Sequence, residues 1–212
     1  MRGRGLSMEG QGGRQDLSGK IILVTGAGRG TGRNVALALA AHGALLAVND
    51  LTPINLDETV ARIQAAGGQV KAYLADIAKK LPVQGLLNQV LDDLGRIDIL
   101  INCAEVDPCR ELAEMDEWDW ARTLDVNLTG AFLLTQSAAR IMRSQGGGLI
   151  LLLDERLQAS QAHGAYRTSK AGLAALATQA DSELSAWGVR VHLLQPEEQA
   201  DWAAVVLALS AP

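Results

Sequence analysis

The sequence predicts an α/β fold, in which a doubly wound parallel sheet of about six strands carries helices on both faces. Short apolar segments alternate with segments of helical periodicity along the whole chain, and this alternation is typical of α/β proteins. In most of the short segments the apolar residues follow one another without alternating polar residues, as expected for parallel strands that are buried on both sides. Because crossovers between such strands are right-handed, we expect a ligand crevice at the carboxyl ends of the strands.

Six segments are predicted to be strands, and six segments with apolar residues at helical spacing are predicted to be helices. The predicted strands cover residues 21–25, 44–50, 69–74, 96–101, 149–153 and 189–194. The predicted helices cover residues 30–42, 55–66, 82–94, 117–143, 166–187 and 201–209. Gly43, Gly67 and Gly146 follow three of these helices and indicate where they end.

Composition indicates one globular domain. The chain has 212 residues, of which 48% are hydrophobic and 20% are charged, and this is enough for a sizeable core. We therefore assign residues 17–212 to a single domain and residues 1–16 to a disordered tail.

Charge and motif content exclude several classes of partner. The net charge is −5 and only 3% of the residues are aromatic, so neither electrostatics nor base stacking favours nucleic acid. No apolar run is long enough to cross a membrane, and residues 1–16 lack the apolar region of a signal peptide. Cys103 and Cys109 do not have metal-ligand spacing; we expect no metal site, and we expect reduced thiols in a cytoplasmic protein.

Residues 20–32 form the stretch around which we expect the ligand site. The first predicted strand is followed by Gly26, Gly28, Gly30 and Gly32, and helical periodicity begins after them. Glycines permit a tight turn and the close approach of a pyrophosphate, while a helix N-terminus offers unpaired N–H groups and a partial positive charge. A glycine-rich turn without a ligand is the alternative, but the strand, the helix and an acid downstream together indicate a dinucleotide site.

Three charged residues bear on which dinucleotide is bound. Asp50 ends the second strand, where a carboxylate accepts hydrogen bonds from the adenosine ribose and repels a 2′-phosphate, which favours NAD. Arg29 in the glycine turn favours NADP, because a guanidinium pairs with phosphate; we give Asp50 the greater weight. Asp76 ends the third strand and either receives the adenine amino group or caps the next helix.

The motifs resemble those of the short-chain dehydrogenase/reductase family, over about residues 17–196. In chain order they are TGxxxGxG at residues 25–32, NNAG at residues 102–105 (where Asn102 and Ala104 match), the helix asparagine at Asn127, and YxxxK at Tyr166 and Lys170. The similarity is closest to members that resemble 3-oxoacyl carrier-protein reductases and sugar or polyol dehydrogenases.

The resemblance implies a Rossmann fold and hydride transfer between the nicotinamide of NAD(P) and a small carbonyl or alcohol substrate. It implies that Tyr166 carries the proton, that Lys170 holds the nicotinamide ribose, and that Asn127 anchors a water linking Lys170 to solvent. Since an ordinary tyrosine has a pKa of about 10, we expect Lys170, one helical turn away, to lower the pKa of Tyr166. The full set of predicted cofactor-binding residues is Gly26, Arg29, Gly30, Thr31, Gly32, Asp50, Asp76, Asn102, Ala104, Tyr166 and Lys170.

The chemical end of the predicted site departs from the family pattern. Asp154 and Glu155 stand where the family has serines, and an ionised carboxylate cannot donate a hydrogen bond to the reacting oxygen. Glu105 replaces a glycine expected close to the cofactor, and Pro-Glu at residues 196–197 replaces Pro-Gly. The family's substrate loop and seventh strand have no counterpart, so we expect a degenerate site and a shortened C-terminal part; Ser160 is a conceivable substitute for the serine.

Two functions follow from this mixture of matches and departures. The predicted function is that of an NAD(P)-dependent oxidoreductase, with impaired turnover in view of the departures. The alternative is a non-catalytic dinucleotide-binding protein that acts as a sensor or partner subunit, and a purely structural subunit is a third hypothesis. Tyr166 with Lys170 supports the first function, whereas Glu155, Glu105 and the missing substrate loop support the second.

The two long predicted helices, at residues 117–143 and 166–187, carry Ala and Leu on more than one face. The resemblance implies that such helices form the interface of a homodimer.

Two further residues have ordinary interpretations: His163 is taken as a loop histidine and Cys103 as a buried thiol.

Overall fold

The computed structural model describes residues 16–155, 162–195 and 201–210. These ranges contain one parallel sheet of six strands in the order β3-β2-β1-β4-β5-β6. The strands are β1 (Ile21–Thr25), β2 (Leu45–Asp50), β3 (Gln69–Leu74), β4 (Ile99–Asn102), β5 (Gly148–Leu153) and β6 (Val189–Leu194). The predicted α/β fold with a doubly wound parallel sheet is therefore confirmed.

Seven α-helices are described within the same ranges, and they cover both faces of the sheet. They are α1 (Gly30–Ala41), α2 (Pro53–Ala65), α3 (Lys80–Leu94), α4 (Glu117–Leu124), α5 (Ala131–Ser144), α6 (Gly164–Leu184) and α7 (Trp202–Ser210). In the part of the chain that is described, no helix combines the length and hydropathy that a membrane span requires.

The sheet separates two apolar cores, because successive side chains of a strand point to opposite faces. Leu23 and Leu100 belong to the core beneath α3, α5 and α6. Ile22 and Ile101, one residue away in each strand, belong to the opposite core with α1, α2 and α7. Burial on both faces explains why the central strands β1 and β4 are apolar at every position before their last residues, Thr25 and Asn102.

Some element boundaries differ from the predicted ones for local reasons. Helix α2 begins at Pro53 rather than residue 55, since proline is well suited to the first turn of a helix. Strand β4 begins after Asp98, whose carboxylate accepts a hydrogen bond from the Ile21 N–H at 2.9 Å. Helix α3 begins at Lys80 rather than residue 82 but ends as predicted at Leu94, before Gly95, which has a φ of +85° that favours glycine.

The long helix predicted at residues 117–143 is divided in the structure. A π-helical segment, Asp125–Gly130, separates α4 from α5. Such wide turns are common at functional sites, and this one contains Asn127. The tail predicted at residues 1–16 lies outside the described residues except for Asp16.

We predict that Leu100→Ala destabilises the fold by about 2–5 kcal/mol, because it opens a cavity in the central strand β4 where Leu100 is fully buried. Urea unfolding followed by circular dichroism measures the change. Leu81→Ala is the matched control, since Leu81 is 78% exposed and its truncation should change the free energy of unfolding by no more than about 0.5 kcal/mol. Equal destabilisation by the two variants would contradict the assignment of the core.

Candidate active site

A crevice of about 530 Å³ opens at the carboxyl ends of the strands, where the order of the sheet reverses between β1 and β4. This is the position at which doubly wound sheets bind ligands. It brings together most of the predicted cofactor residues. Those that line it are Gly26, Arg29, Gly30, Thr31, Gly32, Asp50, Asp76 and Ala104.

Two glycines of the turn, Gly26 and Gly32, lie too close to neighbouring backbone to carry a side chain. A Cβ on Gly26 would lie 2.6 Å from the Cα of Ala104, and Gly26 has a φ of +67°. A Cβ on Gly32 would collide with the carbonyl oxygen of Gly26. The turn leads directly into α1, whose N-cap residue Arg29 makes no side-chain capping bond. The N–H groups of the first turn are thus left for a ligand, as a pyrophosphate site requires.

Asp50 joins the end of β2 to the glycine turn. Its Oδ2 accepts a hydrogen bond from the Gly28 N–H at 2.9 Å, and its Oδ1 accepts one from the Thr52 N–H at 3.0 Å. The carboxylate also lines the crevice. Asp50 is therefore held in place by backbone groups at the side of the crevice where an adenosine ribose is expected.

Arg33 and Thr59 support the glycine turn from behind, a role that the sequence analysis missed. The guanidinium of Arg33 donates to the carbonyl oxygen of Gly28 and, from Nε, to Thr59 Oγ1 at 3.0 Å. Thr59 in turn donates to the carbonyl oxygen of Ala27 at 2.9 Å. The signal that was available is the position of Arg33 on the first turn of the helix that follows the glycines.

Asp76 and Asn102 have structural partners. Asp76 Oδ1 accepts from the Ala78 N–H at 3.0 Å in the turn before α3, whose N-cap residue is Lys79, and Oδ2 lies 3.5 Å from Arg122 Nη1 across the crevice wall. Asn102 is buried beneath the glycine turn, and its Oδ1 accepts a 2.6 Å hydrogen bond from the Thr25 hydroxyl. Asn102 therefore fixes β4 against β1, below the surface of the crevice.

Tyr166 and Lys170 meet at a third side chain, Glu105. The Tyr166 hydroxyl donates to Glu105 Oε2 at 2.9 Å, and Lys170 Nζ lies 2.7 Å from the same oxygen. Lys170 also donates to the carbonyl oxygen of Leu153 at 2.8 Å. Tyr166 and Lys170 are 2% and 7% exposed, and they lie behind Glu105 and Glu155, which form the crevice wall.

This arrangement changes the expected ionisation of Tyr166. Burial and the adjacent negative charge of Glu105 raise the pKa of Tyr166 well above its ordinary value. The expectation that Lys170 lowers the pKa of Tyr166 is therefore wrong for this geometry, because the lysine charge is directed at Glu105. Burial also raises the pKa of Glu105, although Lys170 acts in the opposite direction.

Asn127 holds the segment that carries Glu105. From the π-helical turn, its Oδ1 accepts from the Val106 N–H at 2.8 Å and its Nδ2 donates to the Val106 carbonyl oxygen at 2.9 Å. Nδ2 also lies 3.1 Å from Ser169 Oγ. The amide thus fixes the residue next to Glu105 to the helix of Tyr166 and Lys170.

The residues at the serine position have separate roles. The Glu155 carbonyl oxygen accepts a hydrogen bond from the Tyr166 hydroxyl at 3.1 Å. Asp154 Oδ2 accepts one from Gln195 Nε2 at 3.0 Å, which connects the ends of β5 and β6. Ser160 and residues 196–197 lie outside the described residues. Within the ranges that are described, no three His, Cys, Asp or Glu side chains form a cluster suited to a metal ion.

Comparison with known proteins places this chain in a family. A family model described as short chain dehydrogenase matches residues 20–199. A 3-oxoacyl-[acyl-carrier-protein] reductase from Synechocystis is 35% identical over 183 residues, which cover 85% of this chain and 74% of the relative. Its name, like the family description, is that of an oxidoreductase, so the comparisons do not favour the non-catalytic alternative.

Solved structures with the same fold include complexes with both nicotinamide cofactors. An NAD⁺-bound xylitol dehydrogenase matches with a TM-score of 0.80 and 30% identity, over 89% of this chain and 75% of its own. A metagenomic short-chain oxidoreductase in complex with NADP matches with a TM-score of 0.83 and 32% identity, over 92% and 91% of the two chains. The comparisons therefore support NAD(P) binding without distinguishing NAD from NADP.

We predict that Glu105→Gln lowers the pKa of Tyr166, because it removes the negative charge that disfavours the phenolate and frees Lys170 to favour it. Ultraviolet titration of phenolate absorption measures the pKa, with Tyr166→Phe subtracted to remove the signal of Tyr73. Glu111→Gln is the matched control, because Glu111 is exposed and should leave the titration unchanged. An unaltered titration in Glu105→Gln would show that Glu105 does not control Tyr166.

Proposed function

Because the chain belongs to the short-chain dehydrogenase family, we propose that it binds NAD in the crevice and transfers hydride between nicotinamide and a carbonyl or alcohol carbon with Tyr166 and Lys170 managing the proton. The observation that carries this proposal is the convergence of the Tyr166 hydroxyl and the Lys170 ammonium at the crevice wall. A tyrosine and a lysine one helical turn apart provide a proton and a positive charge at a single point.

The residues of the crevice fit a dinucleotide. The N–H groups of the α1 N-terminus and the glycine positions that exclude a Cβ suit a pyrophosphate. The Asp50 carboxylate suits the ribose of adenosine. A nicotinamide dinucleotide bound here would supply the hydride-transfer chemistry. Glycines 26 and 32 permit close backbone approach, and Asp50 and Asp76 face the adenosine side.

The preference for NAD rests on Asp50. A carboxylate at the end of β2 accepts hydrogen bonds from ribose hydroxyls, and it repels a 2′-phosphate. Arg29 is exposed beside the glycine turn and is the group that would favour NADP. We give Asp50 the greater weight because two backbone N–H groups fix its position.

The proton chemistry depends on whether Glu105 releases Tyr166. In the described arrangement the Tyr166 hydroxyl has Glu105 Oε2 and the Glu155 carbonyl oxygen as its acceptors, so its one proton is held by the residues of the crevice wall and is not presented to a substrate oxygen. A substrate oxygen can receive that proton only when it displaces the Glu105 carboxylate. Lys170 then becomes free to stabilise the tyrosinate that remains. We therefore propose slow turnover in which Glu105 competes with the substrate.

The proposal extends to assembly and location. Phe132 on α5 is 43% exposed, and Ala171 and Ala175 are exposed on α6. These exposed apolar residues on the two helices support a homodimer formed through them. The two cysteines, Cys103 and Cys109, are both free thiols, which supports a cytoplasmic location.

We predict that Asp50→Asn reduces the preference for NADH over NADPH at least about tenfold, because a hydrogen bond to a charged group contributes about 1.5–3 kcal/mol and the repulsion of a 2′-phosphate is also removed. The amide oxygen of asparagine can still accept from the Gly28 N–H, so the turn should persist. Fluorescence titration with both cofactors gives the two dissociation constants.

The matched control for this titration is Asp57→Asn, which makes the same change on the exposed surface of α2. It should leave both dissociation constants unaltered. A ratio of NADH to NADPH affinity that is the same in Asp50→Asn and wild type would contradict the role given to Asp50. Failure of the wild type to bind either cofactor would contradict the whole proposal.

We predict that Glu105→Gly increases the rate of carbonyl reduction at least about tenfold, because it releases a positioned acid whose contribution is typically ~10²–10⁴. Oxidation of NADH at 340 nm, measured with a panel of aldehydes and ketones, reports the rate. The double variant Glu105→Gly, Tyr166→Phe should lose the gain. A gain that survives in the double variant would show that Tyr166 is not the proton donor.

A further inference from the structure

A cysteine, a histidine and an aspartate converge at the rim of the crevice, outside the Tyr166–Lys170 pair. Cys109 lies in the loop after β4, and His163 immediately precedes α6. Cys109 Sγ is 4.0 Å from His163 Nε2, and His163 Nδ1 is 2.6 Å from Asp107 Oδ2. The order thiol, imidazole, carboxylate is that of an activated nucleophile with its base and its orienting group.

The two loops that carry these residues are joined at this point. The backbone forms an isolated parallel bridge between Arg110 and His163. Asp107 Oδ1 accepts from the Cys109 N–H at 3.3 Å, while the other oxygen of the same carboxylate contacts the imidazole. Arg110 is fixed in turn by Asp119, with Nε 2.8 Å from Oδ2. One carboxylate therefore positions both the backbone of the nucleophile and the ring of the base.

The contact between His163 and Asp107 acts through charge. The two atoms are close, but the ring N–H does not point straight at the oxygen. A negative charge at this distance stabilises an imidazolium regardless of hydrogen-bond direction. When His163 takes the proton of Cys109, the imidazolium of His163 lies between two negative charges. These are the Asp107 carboxylate on one side and the Cys109 thiolate on the other.

Cys109 is accessible and its backbone conformation is uncommon. The residue is exposed and has a φ of +40°, a region that residues other than glycine rarely adopt. Such conformations concentrate at functional sites. Cys103 is the contrasting case, because burial and the negative charges of Glu155 and Glu105 raise the pKa of its thiol. A soluble electrophile therefore meets Cys109 first.

We propose that Cys109 is a nucleophile that accepts an acyl group from a thioester, with His163 as its base and Asp107 as the residue that positions both. Cys109 gives its proton to His163 Nε2, and Sγ forms a bond to the carbonyl carbon. The carbon–sulfur bond to the leaving thiol then breaks, and that thiolate receives the proton from His163. The products are acyl-Cys109 and a free thiol, so no oxidant, reductant or water is consumed.

A thioester is the electrophile that this set of groups suits. Its leaving thiolate resembles the attacking one in basicity, so it departs without a strong acid. An amide would leave as an amine, which requires protonation by a positioned acid as the bond breaks. Asp107 lines the same crevice as Glu105, so the rim at which Cys109 lies borders this crevice.

The test uses the full chain without any nicotinamide cofactor, so that its outcome is independent of hydride transfer. The protein is incubated with a small thioester, N,S-diacetylcysteamine, and in a parallel arm with acetyl-CoA. Intact-protein mass spectrometry follows the addition of one acetyl group, and peptide mapping locates it. We expect acetylation at Cys109, reversed by neutral hydroxylamine, at a rate at least tenfold above that of glutathione under the same conditions.

Variants separate an activated thiol from an exposed one. Cys109→Ser should abolish the labelling, and His163→Gln should slow it at least tenfold because the base is lost. His42→Gln is the matched control, since His42 lies at the end of α1 with its ring against the Ala38 carbonyl oxygen, and it should label at the wild-type rate. Labelling at Cys103, a rate equal to that of glutathione, or an unchanged rate in His163→Gln would overturn the proposal.

Discussion

The ion pair between Glu105 and Lys170 is the interaction on which the chemical end of the crevice depends. Its two charged atoms are 2.7 Å apart and both side chains are largely buried, at 24% and 8% exposure. Removing either partner would leave an uncompensated charge in a poorly solvated place, and this is generally costly. The pair also decides where the proton of Tyr166 points, because the hydroxyl donates to the same carboxylate oxygen. The glutamate at position 105, where the family motif has glycine, thus couples the stability of the site to its activity.

The two ends of the crevice are formed by different kinds of chemical group. At the adenosine end the important features are backbone groups, with the glycine turn pressed against Ala104, the N-terminus of α1 left uncapped, and Asp50 held by two N–H groups. At the chemical end the important features are side chains that neutralise one another. Backbone geometry is fixed by the sheet and tolerates little change, whereas a side-chain network is altered by a single residue. Family membership is therefore plain from the first end, and turnover depends on the second.

Particular elements show how far sequence patterns reach. Strand β1 has the predicted boundaries, because its continuous apolar run begins after Lys20 and is followed by the glycine turn. The helix predicted at residues 117–143 was correct in type but missed the π-helical turn at Asp125–Gly130, which inserts no distinctive residue into the periodic pattern. The sequence predicted the glycine turn together with a dinucleotide site at it, since a strand, spaced glycines and a helix form a local motif. Arg33 and Thr59 were missed because their contacts are made across two helices.

The sequence by itself determined the doubly wound sheet, the dinucleotide crevice at its reversal point and the family to which the chain belongs. These follow from periodicity and from short motifs, which act over a few neighbouring residues. It also identified Glu105 as a departure, but as bulk and charge near the cofactor. Only the tertiary structure decided that Glu105 binds both Tyr166 and Lys170, that the pKa of Tyr166 rises, and that Cys109 meets His163 and Asp107. The contacts of Glu105 with Tyr166 and of Cys109 with His163 join segments separated by more than 50 positions, and no local pattern encodes the distance between such segments.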